Sequence, residues 1–451
     1  FGLMAILMVM GAGSAWARSA KANVIDVGTT AELVAAMNPL NAGKMIRIQP
    51  GIYCPNATLV LPEGSRVVGS GKMDYESGLP SEFRGGTATH IVPADGGKQC
   101  PAEQGFFAGN SVVSLTDGSS LEGVKISIDL TAGYTFAANT VVIHAKGGQT
   151  VRTLISECDI EARSGPFSIV PPGIPAGRAI QLMTGDGPPN HDLPGDPKIR
   201  AVINRSVIRG NNTVAIFNGQ WESKGEIFLA LHGNVVKEAN WTLDIVGGIS
   251  RILAGVTNVV EGTVTEVLSI GNLYQGVGES SAGLLLTAGA NGPPPGSPSS
   301  NGNHLTMTSL NDRIENVGVG IMARAAFRRS PAHGYVNDNT TDLQMIGTKI
   351  STLTTEAPNS FTADLIFCPV AAQGSASKVD KVGDRNWVYV SAIGLDGSGT
   401  RDNLYEYFSG ICGFMDSTGD DNGLTFWGSA QLWEILNKDI DPDPPAELFG
   451  F

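Results

Sequence analysis

The sequence predicts an all-β solenoid, a chain of short strands wound into stacked coils. Three observations lead there. Strand-like segments of similar pattern recur along the middle of the chain. The composition is poor in charge, with only 16% Asp, Glu, Lys and Arg, and rich in glycine, with 58 Gly in 451 residues. Beyond one short N-terminal segment, no long stretch carries helical periodicity. Ordinary globular domains hold about 25% charged residues and about 7% Gly. A turn-dense β protein with a large core fits these departures, and at 42% apolar residues disorder does not.

The recurrence is specific. Ala201-Val202-Ile203-Asn204-Arg205-Ser206-Val207-Ile208, Leu229-Ala230-Leu231-His232-Gly233-Asn234-Val235-Val236 and Leu268-Ser269-Ile270-Gly271-Asn272-Leu273-Tyr274 share one form. Met307-Thr308-Ser309-Leu310-Asn311-Asp312-Arg313-Ile314 and Leu343-Gln344-Met345-Ile346-Gly347-Thr348-Lys349-Ile350 repeat it. Each alternates, turns through Gly or Asn, and resumes. Aligned on the last apolar residue they fall at 208, 236, 274, 314 and 350, in steps of 28, 38, 40 and 36. One such unit cannot bury its apolar side, whereas stacking successive units buries a continuous column. The unequal steps predict loops of different length. Protruding loops are expected near 185–197 and 288–303, the second around Pro293-Pro294-Pro295. The turn asparagines Asn204, Asn234, Asn272 and Asn311 are expected to satisfy backbone groups at the bends.

At the N-terminus, residues 1–13 form an apolar or small-residue run followed by Ser14-Ala15-Trp16-Ala17, which resembles a signal-peptidase site. Residues 1–17 are therefore expected to be a leader lacking its start. The mature protein is expected to be exported, to the periplasm, the cell surface or the medium. No other segment has the roughly 20 apolar residues of a membrane helix. Next, Thr29-Thr30-Ala31-Glu32 is a capping box, and Leu33, Ala36 and Met37 share one helical face before Pro39. The five cysteines suit export, with Cys54–Cys100 and Cys368–Cys412 the most economical pairing. Cys158, within a strand-like stretch, then remains as a small core residue. At the other end, residues 427–436 read as a short amphipathic closing helix. Residues 431–451 make up a C-terminal cap or tail.

The segments Ile46-Arg47-Ile48-Gln49-Pro50-Gly51-Ile52-Tyr53 and Leu59-Val60-Leu61-Pro62-Glu63-Gly64-Ser65-Arg66-Val67-Val68-Gly69-Ser70-Gly71 carry a resemblance. With the preceding helix, they resemble the start of a right-handed parallel β-helix of the pectin-lyase-like superfamily. The resemblance implies a single-stranded right-handed parallel β-helix over residues 24–430, with an N-terminal capping helix. The motif-level match is confined to residues 44–71. A fold of this kind hosts enzymes, adhesins and structural proteins alike.

The superfamily's catalytic sets are incomplete here. His232-Gly233 follows Leu231, not Gly, and the only Asp-Asp, Asp420-Asp421, lies far downstream. The lyase-type Arg-x-Pro-x-x-Arg is half present as Arg329-Ser330-Pro331-Ala332-His333-Gly334, which makes Arg329 the candidate base. Arg324, Arg328 and His333 surround it and could hold an anionic sugar, since Arg suits bidentate carboxylate recognition. A solvated loop paired with nearby acids is the plainer reading. Trp221 and Trp241, flanking one coil, are candidates for sugar stacking, with core packing the alternative. Asp186, Asp192 and Asp196 form a loop cluster of the type that holds Ca2+, against a reading as solubilising turn acids. A net charge of −13 argues against nucleic acid. Three readings follow: an exported protein that binds or processes extracellular polysaccharide along a groove, a non-catalytic surface or envelope protein, and a polysaccharide lyase acting on uronates.

Overall fold

The structure is a computed structural model. It describes residues 23–84, 88–94, 100, 108–129, 139–163, 177–185, 195–210, 214–253, 256–292, 296–328, 332–352, 370–373, 376–377, 383–393, 396–398, 411–414, 423–428 and 431–436. Residues 1–22, with the expected leader, lie outside them. The chain enters through the strand Val24–Val27 and the helix Thr30–Ala36. The capping box forms as the sequence requires. Thr29 Oγ1 accepts the Glu32 N–H, and Glu32 Oε2 accepts the Thr29 N–H at 3.0 Å. Leu33 and Ala36 point into the first coil and are buried, so the helix closes that end of the core.

From there the chain coils. Each coil adds one strand to a 13-stranded sheet and then one or two to a 20-stranded sheet. The larger sheet is two stacks joined where Leu273–Asn291 and Arg313–Arg328 run through the bend between them. Three stacks of parallel strands around one core make a parallel β-helix. The stacking repeats the spacing read from the sequence. Ile208 pairs with Val236, Val236 with Tyr274, Tyr274 with Ile314 and Ile314 with Ile350. The same column runs back through Ile160, Ile126 and Ile91 to Tyr53. Every member is buried.

The bends carry a second column, of polar groups. Asn234 Oδ1 accepts the Ser206 N–H at 3.0 Å, and Asn272 Oδ1 accepts the Asn234 N–H at 2.8 Å. Their amide groups donate to Ile203 O and Leu231 O. At another bend Asn303, Asn339 and Asn386 repeat the arrangement. A bend removes backbone groups from the sheet ladder, and buried backbone groups need partners. Asparagine supplies both an acceptor and a donor.

Gly69 and Gly71 of the N-terminal motif have a steric reason. A Cβ on either would collide with the carbonyl oxygen of Gly123 on the next coil, which accepts the Gly71 N–H at 2.9 Å.

Cys54 and Cys100 form the expected disulfide, and Cys158 is a free, buried thiol that burial pushes up to about 12. Cys368 and the side chain of Cys412 lie outside the described residues. The closing segment differs from the expectation. Gly423–Gly428 and Gln431–Leu436 are strands, paired antiparallel with Phe426 opposite Trp433. A strand satisfies the open N–H and C=O groups of the last coil, which a helix would leave unpaired. Around the Pro-rich segment, Leu273–Asn291 stays in the sheet to its last residue. Beyond it the chain packs down: Ser297 is buried, and Pro298 O accepts from Ser250 Oγ and Asn291 Nδ2, both at 2.6 Å.

Candidate functional site

Of the residues singled out by motif, the structure brings Arg328 and His333 together and sets Trp221 apart from Trp241. Arg328, at the end of its strand, is buried. Its Nε and Nη2 donate to the His333 carbonyl at 3.0 and 2.7 Å, and its guanidinium lies 4.4 Å from the Tyr335 ring centre. It holds the following loop against the coil. Arg324 lies 5.3 Å from the Phe327 ring centre. His333 is itself buried, and Arg329 lies outside the described residues. Trp221 stacks under the Arg251 guanidinium at 4.3 Å. Trp241 packs against Ala282, Leu285, Val319 and Met322. Trp241 stands in register with Val214, whereas Trp221 follows the far end of that same strand, Val214–Gln220. They are therefore about 23 Å apart along the strand direction and cannot stack on one sugar. Asp196 is exposed, and Asp186 and Asp192 lie outside the described residues. Among the described residues no group of three or more His, Cys, Asp or Glu is arranged to hold a metal ion.

A charged cleft of about 250 Å3 lies elsewhere, on the outer face of the first stack of the larger sheet. Its floor comes from three successive coils. Lys125 is in register with Asp159, and Glu161 with Arg209. Alternation along Val124–Asp129, Asp159–Arg163 and Val207–Arg209 turns these side chains outward while Ile126, Ile160 and Ile208 point into the core. Glu238 enters from the next coil, at a register shift between Lys237 and Ala239 where its φ is 58°. This β-bulge re-aims the side chain toward Arg209.

The wall is a hairpin. Met73–Glu76 and Leu79–Phe83 pair antiparallel around Ser77-Gly78, both at positive φ as a tight hairpin turn requires. Met73, Leu79 and Phe83 pack on Val207, Val235 and Leu273, apolar residues on the outside of later coils. Tyr75 Oη donates to Glu157 Oε1 at 3.1 Å. The hairpin thus lies across coils far ahead of it in sequence and sets Glu82 and Phe83 at the cleft.

Burial and charge decide the chemistry. The Asp159 side chain is only 4% exposed. It accepts a short hydrogen bond from Arg209 Nη1, with Lys125 Nζ 3.8 Å away. Burial raises its pKa above the ordinary aspartate value, against the pull of these two cations. Arg209 also lies 3.7 Å from Glu238, and Arg163 lies 3.6 Å from Glu161. Beside the cleft, His90 Nε2 shares a hydrogen bond with Ser127 Oγ at 2.7 Å. Burial and Lys125 push His90 down to about 4, so it is neutral at physiological pH.

Lys125, Arg163 and Arg209 oppose Glu82, Asp159, Glu161 and Glu238 in one recess. Such a site suits a hydroxyl-rich or charged ligand over an apolar one. Asp159 and Glu161, two residues apart on one strand face, are separated by about 7 Å along the strand. Sequence reading missed this site because its residues are single members of successive coils plus a hairpin.

No protein-family model matches the chain, and no curated protein matches it. Among solved structures it is similar to the gp42 tailspike of Acinetobacter phage vb_AbaP_AS12, at 9% identity and TM-score 0.42, over 93% of this chain and 65% of that one. The chain thus spans about two thirds of that tailspike's length. It is also similar to Escherichia coli ybhc, at 11% identity and TM-score 0.35, over 92% of this chain and 86% of that one. A third is the Dettilon tailspike protein, at 13% identity and TM-score 0.33, over 89% of this chain and 71% of that one. None of these carries a residue role across to this chain.

Proposed function

We propose that the protein binds or processes an extracellular polysaccharide in the cleft between the hairpin and the coils. The observation that carries this reading is Asp159: a buried carboxyl of raised proton affinity, with Glu161 on the same strand face and cations on either side. Cleaving a glycosidic bond needs one carboxyl to protonate the leaving oxygen and a second about 5–9 Å away. In this reading Asp159 is the proton donor and Glu161 the second carboxylate. Arg163 and Lys125 bind hydroxyl or acidic groups of the chain, and Phe83 offers an apolar edge. The disulfide fits an oxidising, extracellular setting. Among the described residues no helix is long and apolar enough to cross a membrane.

One observation favours a second reading, a non-catalytic surface protein. The Arg209–Asp159–Lys125 cluster also resembles a clamp between adjacent coils. The test is to incubate the protein with neutral and uronate polysaccharides. Reducing-end release would report hydrolysis, and ultraviolet absorbance of unsaturated ends would report the lyase chemistry assigned to Arg329. Reducing ends that appear with the native protein and vanish in Asp159→Asn and Glu161→Gln establish processing in this cleft. Binding without cleavage leaves a lectin-like role, and neither leaves the surface-protein reading.

A further inference from the structure

The 13-stranded sheet has an outer face that no other part of the described chain covers with a sheet or helix. Two columns of residues run across it from coil to coil. One is Arg200–Phe228–Glu266, and the other is Val202–Ala230–Leu268, each in strict register. All six point outward by the alternation of their strands. Arg200 and Glu266 are exposed, and among the described residues neither has an ion-pair partner. They flank the strand Glu226–His232, which is the seventh of the thirteen and so the middle of the sheet. A cation one coil before the centre and an acid one coil after it, in the same column, form a self-complementary pattern.

We propose that this face is a self-association surface, on which a second copy of the chain packs face to face with its coil axis reversed. The two-fold axis runs along the strand Glu226–His232. This symmetry keeps each column facing itself and exchanges coils across the centre. Arg200 of one copy then faces Glu266 of the other, and the pairing occurs twice. Val202 faces Leu268 twice, while Glu226, Phe228, Ala230 and His232 meet their own counterparts on the axis, the Glu226 charge being offset by Lys198 of its own copy at 2.6 Å. Such an isologous contact closes as a dimer. A parallel arrangement would set Arg200 against Arg200 and Glu266 against Glu266.

The area is sufficient. Nine strands lie symmetrically about the centre, from Arg66–Val68 to Trp387–Ile393. At about 4.8 Å per strand and about 20 Å of strand length they span roughly 860 Å2, and a stable interface needs about 800 Å2 per partner. Ile393, 53% exposed at one limit of this span, would face Val68 at the other. The charged cleft is on a different sheet and stays open in such a dimer, so this inference stands or falls separately from the proposed function.

The experiment is sedimentation of the full chain over a range of concentrations and salt. The native protein is expected to form a dimer that weakens as salt rises. Arg200→Glu and Glu266→Arg should each weaken dimerisation about tenfold or more, because each creates two like-charge contacts. The double variant, with the charges exchanged, should recover the native affinity. Circular dichroism melts of all three, taken at concentrations where the native protein is monomeric, should match it, since among the described residues both side chains are exposed and without an ion-pair partner. A monomer at every concentration overturns the proposal. So does an oligomer indifferent to the single reversals, or a double variant that fails to recover.

Discussion

Asp312 Oδ1 accepts the backbone N–H of Asn272 at 2.7 Å, in the place that Asn272 Oδ1 takes toward Asn234 one coil earlier. The bend column therefore ends its asparagine run on a carboxylate. Asp312 also accepts from Ser309 Oγ and Asn272 Nδ2, and it is fully buried. Burial raises its pKa above 3.8 in spite of these donors. Ionisation is thus harder in the folded chain than in the unfolded one, so native stability is lost as pH rises from the unfolded value through the folded one. Asp312→Asn keeps the acceptor and removes the charge. It should stabilise the protein at neutral pH by about 1 kcal/mol or more, and the gain should vanish below the ordinary aspartate pKa. Urea unfolding across pH would check both statements.

Core truncation should be costly wherever the apolar column is closed on both sides. Ile208 stacks between Ile160 and Val236. Ile208→Ala is expected to cost about 3 kcal/mol, read from chemical denaturation. Tyr274→Phe is milder at about 1 kcal/mol, because it removes one buried hydrogen bond, between Tyr274 Oη and Ser269 Oγ at 2.7 Å.

At the cleft the two partners of one ion pair should respond unequally. Arg209→Ala leaves Asp159 buried beside a single distant cation and should destabilise the fold by about 3 kcal/mol. Asp159→Asn retains the volume and much of the hydrogen bonding, so its thermal midpoint should fall less while any processing activity disappears. If Asp159 donates the proton, activity should decline as pH rises through its raised pKa, above 3.8. A pH–rate profile measures this directly.

The disulfide ties residues 46 apart in sequence. Chain-entropy reasoning assigns about 4 kcal/mol to a loop of that size. Cys54→Ser, or reduction of the native protein, should lower the melting temperature by several degrees, as calorimetry would show.

Much of the scaffold was legible because its signal is periodic. Ile208, Val236, Tyr274, Ile314 and Ile350 were aligned by pattern alone, and they stack on one another. The capping box and the Cys54–Cys100 bridge were equally local or economical. The closing strands were harder: Trp433 and Ile435 suit either a helix face or a strand, and the unpaired edge of the last coil decides between them. The cleft was not legible at all. Lys125, Asp159 and Arg209 become neighbours through coil steps of 34 and 48 residues, and no motif records such a spacing. Arg328 stands out in sequence because it lies near other arginines, and in the fold its guanidinium donates to the His333 carbonyl.

The unequal coil steps have a mechanical meaning. Apart from the hairpin of Met73–Glu76 and Leu79–Phe83, the strands of each coil are bonded only to those of the coil before and the coil after, so a pulling force applied along the coil axis meets the strand-to-strand bonds one layer at a time. Stretched from its closing hairpin, the molecule should yield as a sawtooth in which each tooth releases the length of one coil. The tooth spacing would vary with loop length, about 28 residues for the coil from Val202 to Ala230 and about 40 for that from Leu268 to Thr308. The irregularity seen in the repeat would then be readable as a sequence of extensions, like notches on a ruler.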